Sequence, residues 1–158
     1  MKRKILKICL IFSLLLLYHC GFKAIDKSNI NDFSIETIKI SGNKRINFKI
    51  KNNLIINSKK NSASLLNIDI ETKKTKQVKE KNIKNEITKY QISITCNVSF
   101  KLSNNNERII FNVNADGDYL VGNNYSKTLN NEKKLIDDLV QNISEQIINE
   151  LNFKLNDI

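Results

Sequence analysis

The chain has no proline and no tryptophan, and only four glycines, three cysteines and one histidine among its 158 residues. Without proline, and with so little glycine, it is neither collagen-like nor a proline-rich linker protein. Three cysteines are too few for a disulfide scaffold. No second long apolar run follows the one near the start, which excludes a multi-spanning membrane protein. Hydrophobic residues make up 41% of the chain and charged residues 27%, too apolar a balance for a disordered protein. The length suits one domain. What is abundant is Lys, Asn and Ile, a bias that AT-rich coding sequences produce, so part of the lysine excess carries no functional meaning.

The first twenty residues read as a targeting segment. Lys2, Arg3, Lys4 and Lys7 form a positive start, and Ile8–Tyr18 is an uncharged, mostly apolar run. At about 1.5 Å per residue that run spans roughly 16 Å, well short of the roughly 30 Å hydrocarbon core of a bilayer. A signal-peptide core is therefore favoured over a permanent span. Leu17-Tyr18-His19-Cys20 resembles a bacterial lipobox, although Tyr18 and His19 are bulkier than the small residues usual before the cysteine. The resemblance implies that the Cys20 sulfur takes a diacylglycerol and that its amine is acylated, chemistry that requires a thiol at this position. An ordinary signal peptide or an uncleaved anchor that happens to contain a cysteine is the alternative. Gly21 stands where an Asp would retain a lipoprotein at the inner membrane, which implies export to the periplasmic face of the outer membrane. The expected organisation is a leader over residues 1–19, a lipidated tether over 20–32, and a single domain over 33–158.

Processing changes the charge and the chemistry. Taking the four basic leader residues from the 26 in the chain leaves 22 against 16 acidic ones, a net charge near +6 rather than the formal +10. Anionic lipid head groups and phosphorylated glycolipid are the expected partners; no nucleic-acid-binding signature is present. His19, the only histidine, leaves with the leader. No mature imidazole then remains, and no Gly-x-Ser-x-Gly elbow is found. Cys96 lies on an apolar face, where a buried thiol is filler. These features argue against an enzyme and name no catalytic residue or cofactor. Asp116 and Asp118 are two carboxylates without further ligand spacing, which does not make a metal site.

Hydrophobic period sets the expected elements. Phe33–Ile40 alternates imperfectly, as a strand. Over Lys44–Asn57 the apolar positions fit both a strand and a helical face; Asn43 as a cap and the length of the run favour a helix, with an edge strand as the alternative. Leu65–Thr75 alternates cleanly, and Lys73–Lys84 then reads as a long connection or a frayed strand end. Thr88–Leu102 is the clearest half-buried strand, returning through Arg108–Tyr119 with a bend or bulge expected at Asp116-Gly117-Asp118. Asn131–Leu155 carries apolar residues at three- and four-residue spacing, with Asn130 as the expected cap and Glu132 at the positive helix end. The fold class is α+β: a two-layer sandwich of a mostly antiparallel four-stranded sheet packed against two helices.

This layout resembles the LPS-assembly lipoprotein LptE family. The residues that carry the likeness are Cys20-Gly21-Phe22, the Leu66/Ile68/Ile70 strand, the pair of strands opened by Thr88-Lys89-Tyr90, Asn124-Tyr125-Ser126, and the apolar repeat from Leu135 to Leu155. The resemblance implies a non-enzymatic lipoprotein that plugs and helps assemble an LptD-like outer-membrane β-barrel and supports delivery of lipopolysaccharide to the outer leaflet. Its partners would be that barrel, lipopolysaccharide and the membrane, with no nucleic acid and no cofactor. The basic run Lys73, Lys74, Lys76, Lys79 and Lys81 is the candidate contact for lipid A phosphates, with a solvated hairpin tip as the alternative. An accessory lipoprotein of an envelope ABC-type transporter is the competing function.

Overall fold

The computed structural model describes residues 33–62, 64–105 and 107–156; Cys20 and the expected leader and tether lie outside these residues. Strand β1 (Phe33–Gly42) is followed by helix α1 (Lys44–Asn57), strands β2 (Ser64–Lys81), β3 (Ile87–Leu102) and β4 (Ile109–Leu120), and helix α2 (Tyr125–Asn156). The sheet order is β1-β2-β3-β4. The β2–β3 and β3–β4 pairs are antiparallel hairpins, whereas β1 and β2 run parallel. A parallel pair needs its connection to cross back over the sheet, and α1 is that crossover. Both helices lie on one face, so the fold is the expected α+β arrangement in two layers.

The turn into α1 resolves the ambiguity of Lys44–Asn57 in favour of the helix. Gly42 has φ of +102°, and a Cβ there would lie 2.0 Å from the Thr72 carbonyl oxygen. Only glycine fits, and it brings Asn43 to the cap position, where its side chain accepts from the Ile46 N–H at 3.2 Å. Beside it the Thr72 hydroxyl accepts from the Asn43 N–H at 3.1 Å and donates to the buried Asn47 side chain. Ile46, Ile50 and Leu54 are buried while Phe48 is exposed. That spacing belongs to one helical face and not to a strand.

β2 runs six residues beyond the expected Thr75. The sequence leaves Lys73–Lys84 as a long connection or a frayed strand end, because the lysines interrupt the apolar alternation. The backbone nevertheless keeps its ladder, pairing Lys73 with Thr95 and Lys76 with Ile92 as far as Val78 with Tyr90, with irregularities only around Glu80. The long, regular β3 offers a template, and the lysines find counter-charges on neighbouring elements, Lys74 and Lys76 at Glu132 and Lys79 at Asp118. The hairpin tip is organised by Asn82, whose side chain accepts from the N–H groups of Lys84 and Glu86, both at 2.9 Å. Asn85 there adopts φ of 63°, a left-handed conformation that asparagine tolerates.

Two local expectations are corrected in β4 and α2. No bend or bulge occurs at Asp116-Gly117-Asp118: the three pair with Ser93, Ile92 and Gln91 without a register shift. Gly117 instead makes room for α2, since a Cβ there would lie 2.7 Å from the Leu135 Cδ1. Helix α2 begins at Tyr125, not Asn131, and its cap is Asn124, whose side-chain oxygen accepts from the Lys127 N–H at 2.8 Å. Asn130 lies inside the helix, and Asn131 donates to the Leu120 carbonyl at 2.9 Å. The first turn carries no apolar repeat, so periodicity alone starts the helix too late.

The core lies between the inner face of the sheet and the helices. Ile68, Ile94, Val98 and Phe100 meet Ile50, Leu54, Ile143, Ile147 and Leu151, all at most 1% exposed. Cys96 is fully buried among them, and burial pushes its thiol up to about 12. The opposite face of the sheet is uncovered. Its side chains are largely Asn, Gln, Ser, Thr and charged residues that bond to each other across strands, as in Gln77 to Gln91 at 3.0 Å and Gln91 to Asp116 at 3.2 Å.

Candidate functional site

Both helices start at the same end of the molecule, and their first turns form one side of a cleft of about 770 Å³. The other side is the inner face of the β2–β3 hairpin. Asn43 and Arg45 come from α1, Asn124 and Thr128 from α2, and Lys74 and Lys76 from β2. Neither helix has an acidic residue in its first turn, and among the described residues the one carboxylate lining the cleft is that of Glu132. The start of α2 is fixed by Gly122, whose N–H donates to the Thr128 hydroxyl at 2.9 Å. Ile87, Val121, Leu129 and Ile136 give the walls an apolar character.

A charge network crosses the cleft. Lys76 Nζ lies 2.7 Å from a Glu132 carboxylate oxygen, and Lys74 Nζ lies 3.7 Å from the other. The Tyr119 hydroxyl donates to Glu132 at 2.9 Å. Tyr90 and Tyr119 stack with centroids 5.6 Å apart, and Lys76 Nζ sits 4.4 Å and 5.3 Å from their ring centres. Partial burial works against the charge on Glu132, but the hydrogen bonds from Lys76 and Tyr119 outweigh it and hold the carboxyl below its ordinary value. Burial likewise opposes the charge on Lys76, and its bonds to Glu132 and Tyr119 outweigh that and raise it.

The depressed Glu132 carboxyl gives a pH signature. Its stabilising contribution is present above the ordinary value of 4.5 and is lost as pH falls through the lower folded value. Glu132→Gln should therefore cost about 1 kcal/mol at neutral pH and flatten the acid limb of a urea-midpoint against pH curve. An acid limb identical to that of the unaltered protein would assign it to other carboxylates.

The five candidate lysines do not form one cluster, because a strand alternates its side chains between two faces. Lys74 and Lys76 point into the cleft and are committed to Glu132. Lys73 is on the uncovered face, Lys79 lies 3.9 Å from Asp118, and Lys81 donates to the Asn85 side chain at 3.0 Å at the tip. Arg45 and Lys133, which the sequence reading did not single out, line the cleft and carry no ion pair among the described residues. The available signal was topological: their positions matter only once both helix starts meet. Glu132 was read as a helix-end charge; it is the lone carboxylate between Tyr125 and Ile136 and sits opposite the lysines. Among the described residues no group of three His, Cys, Asp or Glu is placed to hold a metal, and no helix is long and apolar enough to cross a membrane.

The chain is similar in fold to rare lipoprotein B of Shewanella oneidensis. That match has a TM-score of 0.59 at 12% identity and covers 78% of this chain and 98% of the other. A lipoprotein B from Nitrosomonas europaea matches with a TM-score of 0.52 at 10% identity, over 80% of this chain and 85% of the other. No protein-family model matches the sequence, and no curated protein matches it. At these identities the likeness is one of fold, and solved structures that share it are bacterial lipoproteins. Cys20, the residue that would carry a lipid, lies outside the described residues.

Proposed function

We propose that this chain is a lipoprotein anchored through Cys20 at the periplasmic face of the outer membrane, where it fits inside an LptD-like β-barrel, helps that barrel assemble, and supports lipopolysaccharide transport. The observation that carries the reading is the uncovered face of the sheet. A polar surface on a four-stranded sheet, with side chains that bond across strands such as Gln77 to Gln91 and Gln91 to Asp116, suits a water-lined lumen. The shared fold with rare lipoprotein B and the layout resemblance to the LptE family support the same reading.

The cleft is the candidate contact for the glycolipid. Its free cations, two helix ends and apolar walls match a phosphorylated sugar that carries acyl chains. Lys74 and Lys76 share the single Glu132 carboxylate, whereas Arg45 and Lys133 have no ion pair among the described residues and take the role of the β2 run. Arg45→Glu with Lys133→Glu should weaken binding of phosphorylated lipid A about tenfold, whereas Lys73→Glu with Lys79→Glu on the opposite face should leave it unchanged. Equal losses from both pairs would reduce the effect to net charge. Mass spectrometry of the crosslinked protein purified from membranes tests the partner: an outer-membrane barrel supports the plug, and an inner-membrane permease supports the transporter-accessory alternative.

A further inference from the structure

Helix α1 is apolar on two sides. Ile46, Ile50 and Leu54 fill the core, yet Phe48, Ile55 and Ile56 are 67%, 47% and 78% exposed. At 3.6 residues per turn these three share, with Asn52, the side directed away from the sheet. One flank carries Lys44 and Lys51, both exposed and with no ion pair among the described residues. The helix sequence contains no Asp or Glu at all, and Lys49 alone among its cations is paired, to Asp137 of α2. A solvent-facing helix side is ordinarily polar and mixed in charge. One that joins a Phe and two Ile to positive charge alone has the composition of a segment lying in the surface of an anionic bilayer.

Position gives the second argument. The Phe33 carbonyl accepts from the Lys59 N–H at 2.9 Å, so the chain enters the fold beside the end of α1 that bears Ile55 and Ile56. Only residues 21–32 separate Phe33 from Cys20. Fully extended they reach about 40 Å, which keeps α1 close to any bilayer that holds the lipid.

We propose that α1 of the anchored protein lies on that bilayer, with Phe48, Ile55 and Ile56 at head-group depth and Lys44 and Lys51 on lipid phosphates, before a barrel encloses the body. The contact rests on the lipoprotein reading above. It uses the side of the molecule opposite the uncovered sheet face and leaves that face free for a protein partner.

The test uses the processed lipoprotein, its acylation checked by mass, in vesicles of phosphatidylethanolamine and phosphatidylglycerol that contain brominated lipid. An environment-sensitive fluorophore is attached at Asn52→Cys or, on the uncovered face, at Asn112→Cys; the buried Cys96 and the acylated Cys20 do not compete for it. The label at 52 should lose most of its emission to the quencher and the label at 112 should not. Phe48→Ser with Ile56→Ser, and separately Lys44→Glu with Lys51→Glu, should restore emission at 52 while the protein still floats with the vesicles. Full emission at 52 on acylated, floating protein would overturn the membrane contact alone and give the stripe to an acidic protein surface. Equal quenching in phosphatidylcholine vesicles would overturn the role of the cations. Protein that carries no acyl mass would remove the lipoprotein reading and this contact with it.

Discussion

Gly42→Val should destabilise the protein by about 4 kcal/mol, read as a lower urea midpoint at unchanged slope. Two costs add at one position. A backbone φ of +102° is strained for any residue with a Cβ, at about 1–3 kcal/mol. The added Cβ also lands 2.0 Å from a backbone oxygen of β2, which cannot rotate away as a side chain would. Forced overpacking adds roughly 1–3 kcal/mol. The loss is large against a typical total of about 5–15 kcal/mol. Gly117→Ala is the control: its Cβ would meet the tip of Leu135 at 2.7 Å, a side-chain end that can turn, so a cost below about 1.5 kcal/mol is expected. Similar losses at both positions would mean that the Gly42 turn relaxes freely.

The effect at Gly42 extends to the cleft. Displacing the turn moves Thr72 away from Asn43 and Asn47, which loosens the start of α1 and the placement of Arg45. A stability change at a residue remote from the charge network should therefore weaken ligand binding as well. The link between the two is the helix start, not a direct contact.

The legible part of the fold was the part carried by burial. Ile92, Ile94, Cys96, Val98 and Phe100 alternate because one side of β3 is core, and the α2 repeat recurs because one stripe is core. Those patterns gave the hairpins, α2 and the two layers, whereas α1 rested on Asn43 as a cap and on the length of its run. They were silent where burial is not the cause. β2 continues through its lysines on backbone pairing with β3 and on ion pairs to Glu132 and Asp118, and α2 gains its first turn from Asn124, a cap without an apolar partner. The Asp116-Gly117-Asp118 expectation failed because glycine in a strand has two meanings, a bulge or a close approach, and only the position of Leu135 selects the second. The candidate site was legible in its chemistry and not in its grouping. Lysines at 74 and 76 share a face while 73 does not, and the residues that complete the cleft come from two helix starts far apart in sequence.

Cys20→Ser should abolish anchoring outright. A hydroxyl cannot replace the thiolate that takes the diacylglycerol, so the expected product lacks acyl mass, fails to incorporate labelled palmitate, and is missing from the outer-membrane fraction. Among the described residues no helix is long and apolar enough to span a membrane in its place. Each buried acyl CH₂ contributes about 0.8 kcal/mol, so several chains on one residue make release negligible, whereas a basic surface contributes only about 1 kcal/mol per lysine and is screened by salt. The exposed stripe of α1 belongs to the second, reversible kind. Protein lacking the lipid should therefore wash from vesicles in high salt, while acylated protein carrying Lys44→Glu and Lys51→Glu should stay. Retention of the Cys20→Ser chain in the outer membrane at normal yield would place the anchor elsewhere and remove the reason for reading residues 1–32 as leader and tether.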